Sequence, residues 1–140
     1  MKSDFYILGI DYGSKKIGIA IGQSITKSCR PLKILYNNQL NELKEIISEW
    51  NIKMIIIGYP EYDKKNKIHK EIKDFANSIR KSVDSEIEIL FHNEILTSEM
   101  AKKDFAEMRN KGITKKKLSD YDDISASIIL QSWINENIID

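Results

Sequence analysis

The chain has one cysteine, Cys29, in 140 residues. It can form no disulfide within itself, and such sparse use of cysteine points to a reducing, cytoplasmic compartment. No second Cys or His stands near Cys29 at metal-ligand spacing, so it reads as a small structural residue. Long apolar runs are also missing. No segment approaches the roughly 18 residues that a membrane-crossing helix needs, so no membrane partner is expected. Asp11 interrupts the first apolar stretch within a few residues, which does not suit a secretory signal. An excess of one charge is absent too: 22 Lys and Arg stand against 21 Asp and Glu, for a net charge of +1. Any basic surface must therefore be local. Arginine is scarce, which argues against sequence-specific base reading. No linker, repeat or low-complexity stretch divides the chain, so residues 1–140 read as a single domain.

What is present is 41% hydrophobic residues in a recognisable order. Residues 6–12 and 16–22 are short apolar runs joined by Gly13-Ser14-Lys15, which predicts a β-hairpin. Residues 32–36, after Pro31, form a third candidate strand. Then the period changes. Leu40, Leu43, Ile46, Ile47 and Trp50 recur at helical spacing. Met54-Ile55-Ile56-Ile57-Gly58 is continuously apolar and suits a strand covered on both faces. A polar loop over 61–67 precedes a second helix marked by Ile68, Ile72, Phe75, Ala76 and Ile79. Residues 87–91 read as a strand. Thr97 or Ser98 could cap a further helix, residues 110–119 as a polar loop follow, and a final helix runs from Asp120 or Tyr121 to Asn137. Three early strands without helices between them suggest an antiparallel meander, and the later alternation suggests parallel strands. The fold class is therefore α/β, with a mixed five-stranded sheet flanked by helices on both faces.

Asp11 is the most informative residue. A carboxylate ending a strand of Ile and Leu costs free energy unless it is paired or binds a cation. In the expected sheet, the first strand and the later parallel strands end on one edge, where α/β proteins bind ligands. Three acidic positions can reach that edge: Asp11, Glu94 after the strand at 87–91, and Asp122 or Asp123 at the start of the last helix. Clustered carboxylates repel, so such a group persists by raised pKa values or by binding cations. Hard oxygen ligands suit Mg²⁺ or Mn²⁺, and a pair of such ions can drive phosphodiester hydrolysis. One of Asp122 and Asp123 could instead simply complement the helix dipole. His69 lies on a Lys-rich helix and is expected to be exposed. His92, near the edge, is expected to be structural.

These residues carry a family resemblance. Gly9-Ile10-Asp11-Tyr12-Gly13-Ser14-Lys15-Lys16-Ile17-Gly18-Ile19-Ala20 resembles the opening motif of the YqgF family, the Holliday junction resolvases or pre-16S rRNA nucleases of the RNase H-like superfamily. Ile57-Gly58-Tyr59-Pro60 is similar to that family's Gly-Leu-Pro segment. Residues 93–101 are similar to its Asp-Glu-Arg-Leu-Thr block, and Asp122 with Ala126 and the residues after it to its terminal helix. The resemblance spans nearly the whole chain. It implies an RNase H-like fold and metal-dependent phosphodiester cleavage, with Asp11, Glu94 and Asp122 as catalytic and metal-binding residues. The chain departs from the pattern at Asn93 for Asp, Ile95 for Arg and Lys16 for Arg. Losing an arginine at 95 removes a fork donor for a phosphate.

Nucleic-acid contacts are expected from Lys15 and Lys16 of the hairpin and from Lys115, Lys116 and Lys117 beside Asp122. A second lysine group, Lys64, Lys65, Lys67, Lys70 and Lys73, reads as a solvated face. The expected function is trimming of precursor 16S rRNA by an Mg²⁺- or Mn²⁺-dependent endonuclease, with structured RNA or branched DNA, or a pre-ribosomal particle, as partner. Holliday junction cleavage is the variant of the same chemistry. A weakened, binding-only assembly factor is a rival to which Asn93 and Ile95 lend support. An actin-like ATPase also uses an Asp-x-Gly hairpin, but it needs two such domains around one cleft, more than 140 residues supply.

Overall fold

The computed structural model describes residues 4–59, 67–93 and 122–138. Its elements are β1 (Tyr6–Tyr12), β2 (Lys16–Gln23), β3 (Cys29–Tyr36), α1 (Leu40–Glu49), β4 (Ile52–Tyr59), α2 (Lys67–Ser82), β5 (Glu88–Asn93) and α3 (Asp122–Asn137). The helix expected after Thr97 and the loop at 110–119 lie outside the described residues.

The five strands form one sheet in the order β3-β2-β1-β4-β5. β1, β2 and β3 pair antiparallel, while β1, β4 and β5 run parallel. The mixed sheet expected from the sequence is the one observed. β3 is longer than its apolar run suggested, because it takes in Pro31 opposite Ala20 at a register shift. Proline has no amide proton to give a ladder, and β3 is an edge strand where that loss is tolerated.

Side-chain alternation along the strands sends two separate cores to the two faces. Leu8, Ile10, Ile19, Ile55 and Ile57 meet Leu43 and Ile47 of α1 and Ile72, Phe75 and Ile79 of α2. Ile7, Ala20 and Ile56 meet Ala126, Ile129, Leu130, Trp133 and Ile134 of α3. This explains the unbroken apolar run in β4, since Ile55, Ile56 and Ile57 are all fully buried and point alternately into the two cores. Burying each such side chain contributes about 1.5–3 kcal/mol.

α1 stops where its apolar stripe stops. Trp50 donates its backbone N–H to Ile46, and Asn51 donates to Ser48 and turns with φ 50° into β4. Asparagine is one of the few residues that enters this left-handed region readily.

Candidate active site

The sheet aligns the C-terminal ends of β1, β4 and β5 on one edge. β1 pairs β4 through Ile10–Ile57, and β4 pairs β5 through Gly58–His92 and Tyr59–Asn93. One step beyond the Ile10–Ile57 pair, Asp11, Gly58 and His92 share a row. Asp11 is half-buried. It alternates with Ile10, so it lies on the same face as Ile7 and Gly9, the face that α3 covers.

Gly9 fixes how α3 lies there. A Cβ on Gly9 would stand 2.7 Å from Leu130 Cβ and 3.0 Å from the Ala126 carbonyl oxygen, so backbone and helix touch. Farther back along the sheet, Gly22 lies against Ile134, and Gly22 pairs with Ile7. α3 therefore runs opposite to β1, and its N-terminal turn reaches the Asp11 end. Helix geometry puts Asp122 one turn before Ala126, at the end of the helix toward which Asp11 lies. The side chains of Asp122 and Asp123, and all of Glu94, lie outside the described residues. Glu94 follows Asn93 directly, and Asn93 ends β5 on the same edge. Among the described residues no three His, Cys, Asp or Glu side chains come together as a metal site.

The hairpin turn after Asp11 is held from two other elements. Asn37 Nδ2 donates to the carbonyl oxygens of Gly13 and Ser14 at 2.9 and 3.2 Å, and its backbone N–H donates to Lys15 at 2.9 Å. Ser14 Oγ donates to Glu71 Oε2 of α2 at 3.1 Å. At Gly13 a Cβ would meet the Lys16 carbonyl oxygen at 2.6 Å, so the turn closes only without a side chain. Lys15 is exposed and Lys16 is half-buried on this turn. Lys115, Lys116 and Lys117 lie outside the described residues. No sequence signal marked Asn37, which acts through a contact across the chain.

The two histidines differ. His92 Nε2 lies 3.0 Å from Ser132 Oγ, with Nδ1 4.0 Å from Glu136 Oε2, so it ties β5 to α3 as a structural histidine should. His69 corrects its expectation of exposure. It is buried, with its ring 4.9 Å from that of Tyr59. The first turn of α2 passes over the end of β4, and ring stacking supplies the cover that the lysines around it conceal in sequence.

Cys29 is half-buried beneath α3. Its thiol donates to the Ser127 carbonyl oxygen at 3.1 Å, and burial pushes its pKa up to about 11. A thiol so protonated is a packing group and a poor nucleophile. A cavity of about 310 Å³ beside Lys44, Lys53, Val83 and Ile87 lies at the far end of β4 from Asp11. It plays no part in this site. No helix among the described residues is long and apolar enough to cross a membrane.

Comparison with known proteins agrees with this architecture. Residues 5–136 match the family profile described as RuvX: Holliday junction resolvase. A protein named "Putative pre-16S rRNA nuclease" from Francisella tularensis subsp. tularensis (strain WY96-3418) is 35% identical over 138 residues, covering 94% of this chain and 97% of its own. A protein of the same name from Francisella philomiragia is 32% identical over 137 residues with the same coverage. Among solved structures, T. thermophilus RuvC in complex with a Holliday junction substrate superposes with a TM-score of 0.58 at 11% identity, covering 94% of each chain. The Fowlpox virus resolvase in complex with Holliday junction DNA gives 0.59 at 14% identity, covering 96% of this chain and all of that one. These two share its fold, an RNase H-like sheet flanked by helices. With a family profile matched over nearly its whole length and relatives above 30% identity, the chain belongs to the RuvX, or YqgF, family of nucleases.

Proposed function

We propose that the chain is a divalent-metal-dependent endonuclease that trims the 5′ end of precursor 16S rRNA in the cytoplasm, acting on pre-ribosomal particles. The observation that carries this reading is the half-buried Asp11 at the end of the central strand, on the face and at the end where α3 begins with Asp122. The name carried by the Francisella relatives supports RNA as substrate.

The residues fit a metal. Asp11, Glu94 and Asp122 would make an all-carboxylate donor set of the hard kind that Mg²⁺ and Mn²⁺ prefer. Gly58, next to Asp11 in its row, adds no side chain to crowd the position. These three acids would hold the ions, which when bound supply activated water and stabilise the leaving oxygen of the phosphodiester. The protein's own part is placement. β1 and α3, locked by the Gly9 contact, set Asp11 against the start of the helix, and Asn37 holds the turn from which Lys15 and Lys16 reach a phosphate.

The test is cleavage of a labelled structured RNA in Mg²⁺ and in Mn²⁺ by five proteins. The parent and Cys29→Ser should cleave. Asp11→Asn should abolish cleavage, Asp122→Asn should cost 100-fold or more, and Asp123→Asn should be mild; removing a charge from a metal site costs on the order of 10²-fold or more. Full activity in Asp122→Asn with loss in Asp123→Asn would shift the assigned helix position by one. Binding without cleavage by the parent would leave an assembly factor. A four-way DNA junction forms the second arm, because the matched family is described as Holliday junction resolvases. Preference for that substrate would move the function to recombination.

A further inference from the structure

The sheet edge that carries Asp11 has an aromatic cluster on its opposite face. Tyr59 and Phe91 alternate with residues of the α3 face, so they lie on the side covered by α1 and α2. Their rings are 5.3 Å apart. Phe91 is 39% exposed, although Ile89, two residues before it on the same face, is buried. Tyr59 also lies against the buried His69, their ring centroids 4.9 Å apart. From the side, Lys73 Nζ stands 5.9 Å from the Tyr59 ring centroid, and Lys70, one turn earlier, is exposed. Asp74 is the nearby exposed acid on α2.

Phe91 packs one side of its ring toward Tyr59 and leaves 39% of its surface to solvent. It is backed by the Tyr59 ring, which carries Lys73 at 5.9 Å, and it lies near the end of β5, two strand spacings or about 10 Å from β1. That combination suits an unpaired nucleobase. Every base has a π-face that stacks on an aromatic ring, and the neighbouring phosphate meets an ammonium group. An apolar peptide side chain would use the ring but not the lysine beside it, whereas a nucleotide uses both.

Resting on the nucleic-acid reading above, we propose that Phe91 and Tyr59, with Lys73, form a stacking platform for one unpaired base of the substrate strand. The strand would cross the sheet edge from Asp11 on one face to Phe91 on the other. The site would therefore favour substrates with a single-stranded segment beside a duplex, and would do so without reading base identity.

The experiment measures binding in EDTA, so that cleavage does not interfere. The probes are a blunt RNA hairpin and the same hairpin with a four-nucleotide overhang containing 2-aminopurine, with DNA versions as separate arms. The parent should bind the overhang probe more tightly and quench its fluorescence. Phe91→Ala should weaken that binding at least fivefold, remove the quenching and leave the blunt probe unchanged. Phe91→Trp should restore both. Lys73→Gln should lower the log–log salt slope by about one, whereas Phe91→Ala should leave it unaltered. Unchanged overhang affinity and quenching in Phe91→Ala would overturn the platform, even if cleavage proves normal. A change in oligomeric state in that variant would overturn it in favour of a self-association surface. Failure of the parent to bind any probe would overturn the nucleic-acid reading itself.

Discussion

Gly9 of β1 and Leu130 of α3 meet with no room for a side chain between them: a Cβ on Gly9 would stand 2.7 Å from Leu130 Cβ. The two nearest atoms are Leu130 Cβ and the Ala126 carbonyl oxygen, which cannot swing aside as the end of a flexible chain could. Gly9→Ala should therefore push α3 outward and cost about 1–3 kcal/mol, as overpacking of a core does. Because α3 carries Asp122, activity should fall by more than the loss of folded protein explains. Urea unfolding beside kcat measurements would check this; a stable, fully active variant would mean that α3 is not held by this contact.

Asn37→Ala should loosen the hairpin turn. Two side-chain hydrogen bonds to Gly13 and Ser14 disappear at a part-exposed position, for a stability cost of about 1–2 kcal/mol. The expected kinetic signature is a raised KM with a smaller change in kcat, because the proposed role of Lys15 and Lys16 is to hold a phosphate rather than to bind the metal. An unchanged KM would limit Asn37 to a structural role.

Replacing Lys115, Lys116 and Lys117 with Gln should weaken nucleic-acid binding and flatten its salt dependence. On a duplex the log–log slope should fall by up to about 0.9 for each phosphate that a lysine no longer neutralises. Titrations between low and moderate salt would measure this. An identical slope in parent and variant would show that these lysines do not touch phosphates.

Cys29 sets an alkaline limit. Its folded pKa, raised from 9.0 to about 11, means that the folded state holds the thiol proton more tightly than the unfolded state. The stabilisation is complete below pH 9 and declines as pH rises toward 11. Asp4 acts at the other end. Its carboxylate accepts from the Ile25 backbone N–H, Ser24 Oγ and Gln23 Nε2, and its pKa is lowered, most of all by the Ile25 bond. Its contribution is present above the usual carboxylate range and vanishes as pH falls below it. Thermal melts from about pH 3 to 11 should show Cys29→Ser flattening only the alkaline limb and Asp4→Asn only the acid limb.

Much of the fold was legible because its period was. The hairpin, the α1 stripe and the doubly buried β4 each follow from spacing and turn residues alone, and so does the sheet edge where Asp11 lies. Pro31 misled because a proline commonly precedes a strand, whereas an edge position lets a strand run through it. His69 misled because its lysine neighbours argued for solvent, while its actual cover is Tyr59, reached only when α2 folds back over β4. Asn37 left no trace, since its partners in the turn are remote in sequence and nothing local marks the hydrogen bond. The family resemblance named Asp122 over Asp123, a choice that helical position alone leaves open, as each flanks the Ala126–Leu130 seam.

The wall that faces Asp11 comes from the far end of the polypeptide. β1 is made first, but Gly9 finds Ala126 and Leu130 only after α3 has been synthesised, and Ile7, Ala20 and Ile56 stay uncovered until then. A chain that ends before α3 therefore leaves Asp11 without the helix that walls it. Truncated products should be inert as well as sticky, bearing an apolar sheet face and no assembled cleft.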